Sequence, residues 1–404
     1  MTDSLSAGPP GHAGQSWSVE ASLPISYQVR QTPHLLNPDS DALERYAFNG
    51  PSNRRLIVIE QRLYHLYGAR LLDYLRHRRL RGHLVCVNAE EADKDLDLSM
   101  RLIRAINDFG IDRRQEPLIV VGGGVILDVV GWVASIYRRG TPYIRIPTSL
   151  IAQVDAAVGI KTGVNHDNHK NRLGSYHPPL VSLVDTEFLA TLPRRHVSNG
   201  LAEIAKLALI RDERLWRLLE AHSGQLVDSA LGSRDHAVHE IGTEVMSRAI
   251  DGMLSELRTN LWEKNLQRPV DFGHTFSPAI EMAGLPDLLH GEAVAVDIAL
   301  SCCIAEGRGL LTETALHRVL RTLTDLGLPI WHRTCEARLV HAGLAESVRH
   351  RGGRQLLPLP VAPGRHVFVD DVAPYELDRA LYRLAGLHRA GTVTEPEVLC
   401  ATGA

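Results

Sequence analysis

The sequence predicts an α/β N-terminal domain, built on a parallel sheet, followed by a mostly α-helical C-terminal domain. Three observations carry this. Short apolar runs alternate with helical stretches in the first half; one run ends in a glycine triplet that opens a helix; and beyond about His196 the apolar residues recur at helical rather than strand spacing.

Leu56 to Ile59, Leu84 to Val87, Leu118 to Val121 and Tyr143 to Ile146 have the length and apolar composition of buried strands. The helical stretches between them imply parallel pairing. Val181 to Asp185 is the last clear strand-like segment. Leu201 to Arg211, Leu215 to Leu219, Ala293 to Cys303 and Ala315 to Leu326 then place apolar residues on helical faces. The expected division is a frayed tail at 1–20, rich in Ser, Gly and Pro, an α/β domain at 21–195 and a helical domain at 196–390. No internal repeat is visible.

With 404 residues, 44% hydrophobic and 23% charged, the chain can bury a large core. A net charge of -3 gives no global attraction to nucleic acid or membrane, so an anionic small molecule would need local basic groups. The 5 cysteines (Cys86, Cys302, Cys303, Cys335, Cys400) are odd in number and lack C-x-x-C spacing, which suits reduced thiols in the cytoplasm. No signal-peptide pattern and no apolar stretch of about 18 residues is present. A cytoplasmic location without a membrane partner is expected.

The run Leu118 to Val121 leads into Gly122-Gly123-Gly124, then Asp128 and Gly131. Glycines between a strand and a helix let a pyrophosphate approach main-chain N–H groups. The triplet is not G-x-G-x-x-G, and the same pattern serves an ordinary tight turn. Glu60, Glu91 and Lys94 follow strands, where ribose hydroxyls and phosphates are held in such sheets; each also fits a solvated surface charge.

Arg138-Arg139-Gly140 leads to Thr148, Asp155, Lys161 to Asn165, and Lys170-Asn171, so basic and amide groups crowd a Gly-containing loop. Such groups suit a phosphorylated substrate, and equally an exposed basic loop. Glu203 and Lys206 are three apart in an apolar helical segment. With His274 and His290, Glu203 makes a three-ligand set that leaves a position open on a catalytic zinc. An intrahelical ion pair and two ordinary histidines among 20 are the alternative, and no H-E-x-x-H helix strengthens the metal reading.

Taken together and in this order, residues 55 to 385 resemble the dehydroquinate synthase superfamily, the sugar phosphate cyclases. The resemblance implies an α/β N-terminal Rossmann-like domain with a mostly α-helical C-terminal domain (dehydroquinate synthase-like). It implies NAD bound by Gly122, Gly123, Gly124 and Asp128 with Glu60, Glu91, Lys94, Thr148 and Lys170. It implies a divalent metal, zinc or alternatively cobalt, on Glu203, His274 and His290. Asp155, Lys161, Asn171 and Lys206 fall on substrate-site positions, and Arg139 on an arginine that family dimers lend to the neighbouring subunit, so a homodimer is implied.

Three positions depart from dehydroquinate synthases: Met253 replaces a lysine, Asp271 an asparagine and Pro278 a histidine. A thioether in place of a cation removes the charge that would compensate a buried substrate carboxylate. Asp271 would repel an anion and accept hydrogen bonds from hydroxyls. The segment Asp271 to Pro278 resembles the 2-epi-5-epi-valiolone synthases, which cyclise sedoheptulose 7-phosphate. Arg268 matches the family's carboxylate-side arginine only with a one-residue shift.

The resemblance implies a small-molecule sugar phosphate as substrate: transient oxidation by NAD, phosphate elimination, return of the hydride, ring opening and aldol closure. Competing expectations are a cyclase giving another valiolone epimer or a gadusol precursor, a glycerol-dehydrogenase-like oxidoreductase, and a binding protein that keeps only the fold.

Overall fold

Alternate residues of a doubly buried strand face opposite layers, and here both layers are helical. The structure, a computed structural model, describes residues 16–167, 169–233 and 235–390. Of the expected tail, 1–15 lie outside the described residues, and 16–20 are exposed without regular structure. The strands of the first half are β1 (Gln28–Gln31), β2 (Arg54–Glu60), β3 (Arg81–Val87), β4 (Leu118–Gly122), β5 (Tyr143–Pro147), β6 (Lys161–His166), β7 (His169–Tyr176) and β8 (Val181–Val184). Six of them form one sheet in the order β1-β8-β5-β4-β2-β3, every neighbouring pair parallel.

Helices α1 (Ala42–Ala47) and α2 (Gln61–His77) cover one face, where Leu43, Tyr67 and Leu71 pack with Ile57, Ile59 and Ile119. Helices α3 (Leu96–Phe109) and α4 (Gly124–Ile136) cover the other, where Leu98, Leu102 and Ile126 pack with Leu56, Val58 and Val120. The chain runs from β2 outward to β3 and back across to β4, so β2 and β4 are neighbours whose connections leave in opposite directions. A crevice opens at such a switch point beyond the carboxyl ends of the strands. Here those ends are Glu60 and Gly122.

The second half contains α5 (Arg194–Arg211), α6 (Glu213–Asp228), α7 (His236–Asn260), α8 (Ser277–Gly284), α9 (His290–Gly307), α10 (Glu313–Asp325), α11 (Ala337–His350) and α12 (Pro374–Arg389). Every residue from Val197 to Ile210 in α5 and from Gly291 to Ala305 in α9 is buried, which makes these two the central helices. They cross closely at Gly291, where a Cβ would stand 2.0 Å from the Asn199 carbonyl oxygen.

Two expectations are corrected. The polar segment expected as a loop, Lys161 to Asn171, is an antiparallel hairpin, β6 and β7, whose polar residues hide the alternation that marks a strand. Val181 to Val184 is not the last strand: β9 (Leu357–Ala362) and β10 (Arg365–Val369) form a further ribbon. Pro358 and Pro360 obscure β9, but in a two-stranded ribbon their positions fall on the free edge, where no N–H is needed.

Candidate active site

Strand β4 delivers Gly122 to the switch-point crevice, and α4 starts two residues later with no side chain capping its N-terminus. A Cβ on Gly122 would lie 2.2 Å from Ile126 Cγ2, so the turn requires glycine at this point. At Gly123 and Gly124 a Cβ would meet nothing nearer than 3.6 Å, so there the missing side chains leave open the approach to the N–H groups of α4. Thr148, after β5, donates its N–H to the Gly122 carbonyl at 3.0 Å. Burial raises the Glu60 carboxyl pKa at the end of β2. These features fit a dinucleotide.

Lys94 closes a short 3-10 turn, Glu91–Asp93, beyond β3 and is almost fully buried. Its ammonium donates to Asp128 Oδ2 at 2.7 Å and Asn171 Oδ1 at 2.6 Å. Expected cofactor and substrate residues thus share one hydrogen-bonded cluster. Asn165 Nδ2 donates to Glu91 Oε1 at 2.9 Å, and Lys170 Nζ lies 3.8 Å from the same oxygen.

Asp155 lies in a one-turn π-helix, Ala152–Ala156, closed by a 2.8 Å bond from Ala157 N–H to the Ala152 carbonyl. Such turns re-aim side chains and recur at functional sites. Buried Arg145 of β5 fixes the backbone between this turn and β6, donating to the carbonyls of Ala156 at 2.8 Å, Gly159 at 2.6 Å and Lys161 at 3.3 Å. Burial, then the charge of Glu203, raises the Asp155 pKa.

Glu203, on α5, is fully buried, and neither carboxylate oxygen completes a hydrogen bond of regular geometry. The Lys206 ammonium touches Oε2, while His290 Nε2 and His274 Nε2 lie 3.3 and 3.6 Å from Oε1. One ligand atom from each of Glu203, His274 and His290 falls within 4.8 Å of the others. His274 Nδ1 faces the Phe272 carbonyl at 3.3 Å, which can only accept, so Nδ1 carries the hydrogen and Nε2 is the free lone pair. His290 Nδ1 faces Glu281 Oε2 at 3.0 Å with the same result. Under-satisfied carboxylate oxygens and two inward Nε2 atoms fit a divalent cation with an open position.

The shifts agree with this crowding. Burial alone would raise Glu203, but Lys206 and the two imidazoles hold it well below the carboxylate range. Burial and then Lys206 push His274 down to about 3. Burial opposes protonation of His290 too, yet the Glu203 and Glu281 carboxylates on either side raise it to about 10, so without a cation Nε2 holds a proton that a metal would displace.

A cavity of about 460 Å³ connects these groups, lined by Asp128, Asp155, Lys161, Asn171, Lys206, Met253, Arg268, Asp271 and His274 among others. Two expectations change here. Asp271 is not a lone anion: Arg351 Nη2 donates to Oδ2 at 3.1 Å, and Arg268 Nη2 lies 3.4 Å from Oδ1. Glu263 pairs with Arg268 at 2.8 Å and also contacts Lys161. Arg268 and Arg351 are thus both engaged by carboxylates, Arg268 by two of them. Pro278 is exposed in the first turn of α8 and does not line the cavity. Arg139 is exposed in a separate surface depression with Arg113, Arg114 and Arg138, so within one chain it does not join the other candidates.

Sequence reasoning missed Glu263, Glu281, Arg145 and Arg351. Arg145, Glu263 and Glu281 each lie within five residues of a position already singled out (Thr148, Arg268, Pro278), but their partners are set by the fold and nothing in the local sequence marks them.

The 3-dehydroquinate synthase N-terminal model matches residues 84–199 and the C-terminal model residues 200–347. A 2-epi-5-epi-valiolone synthase of Streptomyces hygroscopicus subsp. jinggangensis (strain 5008) is 48% identical over 373 residues, 92% of this chain and 90% of that one. The demethyl-4-deoxygadusol synthase of Trichormus variabilis is 37% identical over 368 residues, 91% of this chain and 89% of that one. Among solved structures, ValA, the 2-epi-5-epi-valiolone synthase from Streptomyces hygroscopicus subsp. jinggangensis 5008 with NAD+ and Zn2+ bound, superposes with a TM-score of 0.86 at 47% identity, covering 92% of this chain and 99% of that one. With this fold, this glycine turn and this buried Glu-His-His cluster, the chain belongs to the dehydroquinate synthase-like sugar phosphate cyclases.

Proposed function

We propose that the protein cyclises sedoheptulose 7-phosphate to 2-epi-5-epi-valiolone with elimination of phosphate, using recycled NAD and a divalent metal, zinc or cobalt. The observation that carries this reading is one cavity lined by Asp155, Lys161, Lys206 and His274 together with Met253 and an already paired Asp271. The 48% identity to a 2-epi-5-epi-valiolone synthase supports the same product.

When bound, NAD would supply a reversible hydride acceptor, and a cation held by Glu203, His274 and His290 would supply a Lewis acid for substrate oxygens. The chain's own groups do the rest. Lys161 and Asn171 hold the phosphate. Lys206 supplies positive charge beside the hydroxyl to be oxidised, and Asp155 accepts a hydrogen bond from a ring hydroxyl. Asp271, held by two arginines, keeps lone pairs for the hydroxymethyl end. A substrate carboxylate would find Arg268 already occupied by Glu263 and Asp271, and a thioether at Met253.

Glu60, Glu91, Lys94, Asp128, Thr148 and Lys170 contact the dinucleotide in this reading, with Gly122 to Gly124 facing its pyrophosphate. We take the domain boundary near residue 195, in the first turn of α5. The exposed position of Arg139 supports a homodimer in which it serves the partner's phosphate site. Free thiols at Cys86, Cys302, Cys303 and Cys335 suit the cytoplasm. Among the described residues no helix is long and apolar enough to cross a membrane.

The test is NMR of the product formed from sedoheptulose 7-phosphate with NAD and zinc. Signals of 2-epi-5-epi-valiolone support the reading. A different epimer or a gadusol-type product corrects the stereochemistry, and turnover of only the carboxylate-bearing substrate of dehydroquinate synthase overturns it.

A further inference from the structure

Glu281 stands between the candidate metal cluster and the candidate cofactor cleft. It is carried by α8, and its side chain is only 11% exposed, so both carboxylate oxygens must find partners inside the protein. Oε2 accepts from His290 Nδ1 at 3.0 Å, and Oε1 accepts from Lys170 Nζ at 2.5 Å. Glu281 is not among the residues that line the 460 Å³ cavity.

The two bonds act in different directions. The first fixes the imidazole of His290 with its hydrogen on Nδ1 and its Nε2 lone pair toward Glu203, the orientation a cation needs. The second reaches the hairpin arm β7. Lys170 there faces Glu91 at 3.8 Å, and the next residue, Asn171, accepts from Lys94, which also holds Asp128 on α4. A chain of polar contacts thus runs from α4 and the segment after β3, through the hairpin, to a metal-site imidazole.

We propose that Glu281 is a positioning residue which locks His290 in its metal-accepting tautomer and ties it to Lys170, so that dinucleotide and cation strengthen each other's binding. The inference rests on the metal and cofactor reading above. A dinucleotide that engages Lys170 or Glu91 orders the hairpin arm, which holds Glu281 on His290; by linkage, a cation on His290 then favours the dinucleotide by the same factor.

The experiment is calorimetric titration of Zn2+ into the metal-stripped protein, with and without saturating NAD, for the parent, Glu281→Gln and Lys170→Gln. In the parent, NAD should tighten zinc binding by about 5-fold or more. Glu281→Gln should weaken zinc by about 10- to 100-fold and abolish the effect of NAD. At saturating Co2+ its visible absorption should also differ from the parent's, which a loss of stability alone would not produce. Lys170→Gln leaves Glu281 on His290, so zinc affinity without NAD should stay near the parent's while the coupling disappears.

Zinc and NAD binding independently in the parent, or Glu281→Gln keeping both parental zinc affinity and coupling, overturns the proposal while leaving the cyclase reading intact. A parent that binds neither overturns both. If Glu281→Gln does not fold, Lys170→Gln decides, and retained coupling in that variant overturns the inference.

Discussion

Glu203 and Lys206, one turn apart on a helix buried along its length, form an ion pair with side-chain exposures of 0% and 3%. Two charges that deep are costly to desolvate, and removing one strands the other. Lys206→Met should therefore destabilise the metal-free protein by about 3–5 kcal/mol in urea unfolding. Zinc should restore part of the loss, because a cation replaces the missing charge. An equal loss with and without zinc would mean that Glu203 does not face the metal.

The glycine turn separates folding from cofactor binding. A side chain at Gly123 has room within the protein but would occupy the approach to the α4 N-terminus. Gly123→Val should keep a parental melting temperature while NAD binds about tenfold more weakly or worse, the loss of one or two hydrogen bonds. Parental NAD affinity would move the pyrophosphate elsewhere.

Asp271 lines the cavity and is held there by Arg351. In Asp271→Asn, Arg351 and Arg268 lose half of their compensating charge. The KM for sedoheptulose 7-phosphate should rise by about tenfold, and the carboxylate-bearing substrate of dehydroquinate synthase should begin to inhibit. Steady-state kinetics with both compounds checks this; unchanged KM without inhibition would deny Asp271 a part in selection.

Asp297, on α9, accepts from the N–H groups of Phe276 at 2.5 Å and Ser277 at 2.8 Å and from Ser301 Oγ at 3.0 Å, and so fixes the turn after His274. Burial nevertheless pushes its pKa up to about 6, from an ordinary value of 3.8. Its folded-state pKa exceeds the unfolded one, so its contribution is fully present below the unfolded pKa and is lost as pH rises through the folded one. Between about pH 4.5 and 7 the parent should lose roughly 2 kcal/mol relative to Asp297→Asn. Urea unfolding at both pH values measures the difference, and a constant gap would place the proton elsewhere.

The sheet was legible because Ile57, Ile59, Leu118 and Val120 lie in apolar runs too long and too regular for loops, and each run falls inside a strand. Hairpin β6–β7 was not, because Lys161, Asn165, Lys170 and Asn171 interrupt any alternation, and its packing against α4 is a tertiary fact. Glu203, His274 and His290 were recoverable through their motifs. Glu281 and Arg351 were not: their meaning lies in His290, Lys170 and Asp271, partners 9, 111 and 80 residues away. Pro278 shows the converse, a departure visible in the sequence that the fold turns outward.

In the proposed reaction the hydride removed from the substrate is returned within the same site. The direct measurement records phosphate release and nicotinamide absorbance together, with sedoheptulose 7-phosphate in large excess over bound NAD. A returned hydride gives many phosphates per NAD with no lasting NADH. NADH accumulating with turnover, or phosphate stopping at one per NAD, would contradict it.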